Sequence, residues 1–246
     1  MHLDVVALNN FYYYTKLGEL TQLRLQSCVK RLWGSSISGQ LAGFGFSPPL
    51  LTPYLNRTTD VVSLMPGQQG VMPWPVDCNR SILVEETSWP IATASVDRLI
   101  VVHGFETCNK PRALLQEIWR VLAPSSKVIF VVPNRTGLWA RSELTPFGFG
   151  RPYSIRQLRD QLANNRFTIE KYLTALYAPP SEKLYWLKTN NFFERLGQKF
   201  DSRLMAGVII LEASKQIYAM PKSNLKEVAS GTLEVFEDLA KPKPAS

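Results

Sequence analysis

The chain has 246 residues, 45% of them hydrophobic, which is enough apolar material for the core of a single domain. A net charge of +8 and a pI near 9.4 admit an anionic partner, whether substrate, lipid or nucleic acid. Cys28, Cys78 and Cys108 have no paired spacing, which argues against a disulfide scaffold or a structural zinc site; with no signal pattern and no apolar run near the ~20 residues of a membrane helix, the chain reads as cytoplasmic.

Residues 1–36 read as a helical extension. Phe11-Tyr12-Tyr13-Tyr14 precedes a helix in which Leu20, Leu23, Ser27 or Cys28, and Leu32 share an apolar stripe, leaving Arg24, Lys30 and Arg31 outside it. The aromatic cluster either packs or lines a pocket. Ser38–Leu51 holds the first strand and a glycine-bearing turn, Gly43-Phe44-Gly45-Phe46-Ser47. Asp60–Met65 is the second strand, running into Pro66-Gly67-Gln68-Gln69-Gly70 with no carboxylate at its end. A Pro/Trp loop, 71–79, leads to the third strand at Ser81–Val84, closed by Glu85 and Glu86.

Leu99–Val102 and Val128–Val132 are apolar on both alternating faces, as strands buried between helix layers are. Between them lies a helix with Asn109 as N-cap, Pro111 in its first turn, and Leu114, Ile118, Val121 and Leu122 on one face; Ala123-Pro124-Ser125-Ser126 stops it. Strand, crossover helix and parallel strand make a right-handed βαβ unit, and open sheets of this kind bind ligands at the carboxyl ends of their strands. That singles out Glu85, Glu86, His103, Gly104, Phe105 and Pro133-Asn134-Arg135. His103 is the candidate general base, since an imidazole with a pKa near ~6.5 suits deprotonation at neutral pH; the alternative is a hydrogen-bonded structural histidine.

Residues 134–153 form a long loop interleaving Arg with Trp, Phe and Tyr. Arg135, Arg141 and Arg151 are candidates to recognise an anionic substrate between apolar walls of Trp139, Phe147 and Tyr153; the competing possibility is aromatic–Arg packing in a structural lid. Ser154 and Gln157 make a capping box for a helix with Ile155, Leu158 and Leu162 inside. Phe167–Ala178 is the sixth strand and Gly207–Ser214 the last, separated by an insertion, 179–203, containing Tyr185-Trp186 and Phe192-Phe193. The core domain spans 37–218, and 219–246 reads as a flexible tail. Lys127–Arg203 carries thirteen Lys or Arg against six Asp or Glu, so most of the positive charge lies there.

The run Glu85, Trp89-Pro90-Ile91, Ser95-Val96-Asp97, Val102-His103-Gly104-Phe105-Glu106, Pro111, Arg120-Val121-Leu122-Ala123-Pro124-Ser125-Ser126 and Pro133-Asn134 resembles the second half of the core of class I S-adenosylmethionine-dependent methyltransferases. The small-molecule branch related to quinone biosynthesis is the most similar. The resemblance implies an α/β Rossmann-like fold, a mostly parallel seven-stranded sheet with helices on both faces. It implies S-adenosylmethionine held by Gly43, Phe44, Gly45, Phe46, Ser47, Met65, Glu85, Glu86, His103 and Gly104. Aligned through the trailing leucines, Gly43 takes the place of the motif's acid, Gly45 is its first glycine, and Ser47 and Pro49 replace the other two. Shifted by two residues, Gly43 and Gly45 become the first two glycines and Ser47 the third. Where relatives carry a ribose-binding acid after the second strand, this chain offers Gln68, Gln69 or backbone groups.

The function implied is methyl transfer to a small molecule, which needs positioning rather than a triad or a metal. Two alternatives stand beside it: an inactive binding or partner protein of the same fold, and an RNA or DNA methyltransferase drawn from the basic segment.

Overall fold

The computed structural model describes residues 3–55, 59–183, 186, 194 and 205–215. Met1–Gln216 form one compact unit. The expected tail, 219–246, and Tyr185, Phe192 and Phe193 of the insertion lie outside the described residues.

Two helices open the chain, α1 (Val5–Tyr14) and α2 (Lys16–Trp33). Asp4 caps the first by accepting from the Ala7 amide at 2.7 Å, and Thr15 caps the second through the Gly18 amide at 2.9 Å. The aromatic run precedes α2, as read from the sequence, and is itself the last turn of α1, with Phe11 and Tyr12 buried and Tyr13 and Tyr14 exposed. The buried stripe of α2 is Leu17, Thr21, Leu25, Cys28 and Val29, whereas Leu23, expected inside, is 56% exposed. Thr21 is tolerated on that stripe because its hydroxyl donates to the Leu17 carbonyl at 2.7 Å.

The remaining elements are β1 (Gly39–Gly45), α3 (Pro48–Leu51), β2 (Thr59–Pro66), β3 (Ser81–Val84), β4 (Val96–Val102), α4 (Pro111–Val121), β5 (Leu122–Pro133), α5 (Ile155–Ala163), β6 (Phe167–Ala175) and β7 (Val208–Lys215). They build a seven-stranded sheet in the order β3-β2-β1-β4-β5-β7-β6. The first five strands of that order are parallel, and β7 runs antiparallel to both its neighbours. The α/β architecture implied by the sequence is therefore met. Ile100, Val102, Ile129 and Val131 share a core with α1 and α2, while Leu99, Val101, Val128 and Phe130 share one with α4 and α5. Each of these side chains contributes about 1.5–3 kcal/mol by leaving water.

Three boundaries differ from the sequence reading. Helix α4 is capped by Lys110 rather than Asn109 and makes no side-chain cap bond, its first position being Pro111. Residues 123–126, expected as a stop, belong to extended chain: Leu122 already pairs with Val96, and the register slips before Lys127 pairs with Arg98. Ser125, at φ 62°, marks that irregularity. Strand β6 ends at Ala175, three residues early, where Leu176 turns the chain at φ 63°. By contrast, the Ser154–Gln157 capping box is complete.

The crossovers from β2 to β3 and from β3 to β4 contain no helix. The second is fastened by Arg120, whose guanidinium donates to the carbonyls of Trp89 at 3.1 Å and Ile91 at 2.9 Å and to Glu117 at 2.7 Å. Glu117 also accepts from the Trp89 amide at 2.7 Å. Lys215 also serves this carboxyl end of α4, donating to the carbonyls of Trp119 at 2.7 Å and Leu122 at 2.6 Å, where the helix terminus favours a cation.

Candidate functional site

The carboxyl ends of β1 to β5 bring together the turns at 46–47, 66–70, 85–86, 103–106 and 134–135. At the end of β1, Gly45 has φ 85°, and a β-carbon there would fall on the Val102 carbonyl oxygen. A β-carbon on Gly43 would fall on the Ser47 side chain, whose hydroxyl lies 3.0 Å from that of Ser63. The two glycines thus let β1 close against its own turn and against β4. Phe44 stacks on Trp89 at 4.9 Å, Phe46 on Tyr12 at 5.8 Å, and a β-carbon on Gly104 would come within 2.7 Å of the Phe44 ring.

After β2, Met65 is buried. Gln69 donates from Nε2 to the His103 carbonyl while its own carbonyl accepts from the Val5 amide at 2.7 Å, so this turn links the tip of β4 to α1. Gln68 instead faces Asn109 at 3.5 Å. After β3, Glu85 is exposed, and Glu86 is half-buried, accepting from the Asn109 amide at 3.3 Å and lying 3.5 Å from the Cys108 thiol. Burial pushes that thiol up to about 12, which leaves it protonated and unreactive at neutral pH.

His103 is fully buried in the left-handed region, at φ 55°. Its Nε2 lies 2.8 Å from the Tyr12 hydroxyl and its Nδ1 3.4 Å from a Glu106 carboxylate oxygen. The Phe147 ring packs at 4.6 Å. The Tyr12 hydroxyl and Nε2 share one hydrogen bond, its donor set by the imidazole tautomer, and Nδ1 makes no hydrogen bond among the described residues. Burial, then the Glu106 charge, hold the Tyr12 phenol well above its usual range, so it stays protonated. Neither Glu106 oxygen has a hydrogen-bond partner among the described residues.

In the 134–153 loop the expected apolar walls are buried. Trp139 donates from Nε1 to the Ala178 carbonyl at 2.8 Å, Phe147 lies against Trp139 and His103, and Tyr153 stacks on Phe105 at 5.2 Å. Arg135, Arg141 and Arg151 are exposed, and the Arg135 guanidinium reaches the Pro152 carbonyl at 3.4 Å. The structure therefore does not gather these arginines with the three rings around one cavity. Beside the loop, a groove of about 240 Å³ separates it from the start of α1; its lining includes Asp4, Phe11, Glu143, Leu144, Thr145 and Phe149. No cluster of metal-ligand type occurs among the described residues.

Sequence reasoning missed the Tyr12 partner of His103, since 91 residues separate them and no local pattern joins them. Glu106, three residues after His103, had a signal in that spacing. The fastening role of Arg120 was visible only as part of a motif.

Residues 76–130 match a family described as a methyltransferase domain. No curated protein matches the chain by sequence. Among solved structures, one similar chain is an S-adenosylmethionine-dependent methyltransferase from Thermotoga maritima, described as a possible histamine N-methyltransferase. It is 15% identical with a TM-score of 0.58, and the match covers 85% of this chain and 96% of that one. The [4+2]-cyclase SpnF is 17% identical at a TM-score of 0.56, covering 81% and 82%. Geranyl diphosphate C-methyltransferase from Streptomyces coelicolor A3(2), solved with geranyl diphosphate and S-adenosylhomocysteine, is 12% identical at 0.54, covering 78% and 79%. The chain has the class I methyltransferase fold, and its segment from the approach to β3 through the body of β5 carries the methyltransferase-domain signature.

Proposed function

We propose that the chain is a cytoplasmic S-adenosylmethionine-dependent methyltransferase acting on a small molecule. The observation that carries this reading is the sheet order β3-β2-β1-β4-β5-β7-β6 combined with a methyltransferase-domain match over residues 76–130, which takes in β3, β4 and the body of β5. Two of the similar enzymes named above support it by their descriptions, one of them solved with the demethylated cofactor.

The residues present fit the cofactor best at its adenosine end. Glu85 is an exposed carboxylate at the end of β3, suited to accept from the adenine amino group. Gln68 and the backbone groups of this turn remain as candidates for the ribose hydroxyls, because Gln69 is committed to the His103 carbonyl. Gly67, between them and β3, has open space where a side chain would stand, apart from the Val84 carbonyl at 3.9 Å. Bound there, the cofactor supplies an electrophilic methyl on a sulfonium. The chain's own part is to orient the acceptor and exclude water, and His103, with Tyr12 and Glu106 beside it, is the candidate to take up an acceptor proton. Gln68→Ala and Glu85→Ala should each weaken binding of labelled S-adenosylmethionine about 10-fold in equilibrium dialysis. Unchanged binding in both removes these two roles.

A second reading is a protein of this fold without methyl transfer. The specific observation in its favour is the tight packing of Gly43 against the Ser47 side chain and of Gly45 against the Val102 carbonyl, at a turn that departs from the family's glycine motif. SpnF, described as a cyclase, shares the fold. Incubation with methyl-labelled cofactor and a small-molecule extract separates the two: labelled product, absent with His103→Ala, supports the enzyme.

A further inference from the structure

We propose that Glu106 is the positioning residue of His103: its carboxylate holds the imidazole with the hydrogen on Nδ1, so that Nε2 is the nitrogen left to take up a proton. This deepens the role given to His103 above and rests on it for its chemical use, whereas the tautomer itself needs neither cofactor nor acceptor. Glu106 is 2% exposed and His103 fully buried. Three of their polar atoms, Nδ1 and both carboxylate oxygens, have no hydrogen-bond partner among the described residues. Nδ1 and one of those oxygens stand 3.4 Å apart. Unpaired polar atoms out of reach of water are costly, and these two become complementary when the nitrogen carries the hydrogen. A separation of 3.4 Å is long for a charge-assisted bond and is of the kind that tightens when a site fills.

The other side of the ring selects the same form. The buried Tyr12 hydroxyl lies 2.8 Å from Nε2 and has no other hydrogen-bond partner among the described residues. Burial, followed by the Glu106 charge, keeps that phenol protonated. Its hydrogen needs an acceptor, and Nε2 is one only when the ring hydrogen is on Nδ1. The opposite tautomer would leave both the Tyr12 hydrogen and the Glu106 carboxylate unsatisfied. Backbone contacts hold the pair in place. The His103 carbonyl accepts from Gln69 Nε2 and from the Thr107 hydroxyl at 3.2 Å, and the Glu106 carbonyl accepts from the Arg151 amide at 2.8 Å. A β-carbon on Gly150 would come within 3.2 Å of the Glu106 side chain, so the carboxylate has no room to swing that way. When a proton arrives at Nε2, Nδ1–H stays on the carboxylate, whose charge balances the imidazolium, and the Tyr12 oxygen changes from donor to acceptor.

The test uses the full chain carrying His2→Gln, which leaves His103 as the sole imidazole, with nitrogen-15 in the ring and at a pH where the ring is neutral. The two nitrogen resonances report the tautomer, a signature that a purely packing role for Glu106 would not move. The Nδ1–H form should exceed the Nε2–H form by about 10-fold. Tyr12→Phe should leave the hydrogen on Nδ1, because the carboxylate remains. Glu106→Leu, of similar size without an acceptor, should bring the two forms within about 3-fold of each other. A hydrogen on Nε2 in the starting protein or in Tyr12→Phe, or a ratio unchanged in Glu106→Leu, overturns the proposal. The first two measurements decide it even if Glu106→Leu fails to fold. Cofactor is absent throughout, so a failure of methyl transfer registers separately.

Discussion

Gly43 and Gly45 show how a single position can look like one feature and serve another. Their spacing next to a strand was legible, and so was the departure from the family's glycine motif. The reason was not, because it lies in the Ser47–Ser63 hydroxyl pair and the Val102 carbonyl, which tertiary packing brings up. Restoring the motif's acid with Gly43→Asp should therefore destabilise the chain by about 2–4 kcal/mol, read as a lowered Tm, since no side chain fits there. Gly45→Ala should cost a similar amount, combining a positive φ with a blocked β-carbon. An unchanged Tm for either would mean that the turn is looser than described. His103 was legible as the histidine at a strand end. Its setting was not: Tyr12→Phe removes the hydroxyl hydrogen-bonded to Nε2, and should cost about 1–2 kcal/mol while shifting the His103 nitrogen resonances.

At the scale of elements, strands came through most clearly, because β4 and β5 are apolar on both faces and strands buried between two helix layers have that composition. The capping box of α5 was equally readable, being a local device. The inner stripe of α2 was misplaced onto Leu23 because a threonine occupies the true stripe, its hydroxyl satisfied inside the helix. The crossover from β3 to β4, held by Arg120 and Glu117, depends on contacts about thirty residues apart. Hydrogen bonding from Arg120 holds the Glu117 carboxyl below its usual range, against the opposing effect of burial. A carboxyl depressed on folding stabilises the native state above the unfolded value near 4.5, and that contribution is lost as pH falls through the lower folded value. Arg120→Ala should lower stability at pH 7 by about 1–3 kcal/mol and flatten the loss of Tm on acidification below pH ~4.5. A variant retaining the full acid dependence would show that the pair does not set it.

Over the whole molecule, the alternation of strand and helix carried the architecture, and the motif run lies largely within the 76–130 segment that matches the methyltransferase-domain model. Where charge would act was beyond them. Net charge and the basic 127–203 segment pointed to an anionic partner, yet the lining of the groove between α1 and the 143–149 segment includes Asp4 and Glu143, and the loop arginines are exposed. Charge totals report on the surface, and only folding decides which charges meet in a cavity. Among the described residues no helix is long and apolar enough to cross a membrane. The central claim, that these strand tips hold a sulfonium nucleotide despite the packed β1 turn, is tested most directly by calorimetric titration of the intact chain with S-adenosylmethionine. The account predicts saturable one-to-one heat with a Kd below about 1 mM, weakened by Glu85→Ala. A flat titration through millimolar cofactor, from protein whose thermal unfolding is cooperative, would contradict it.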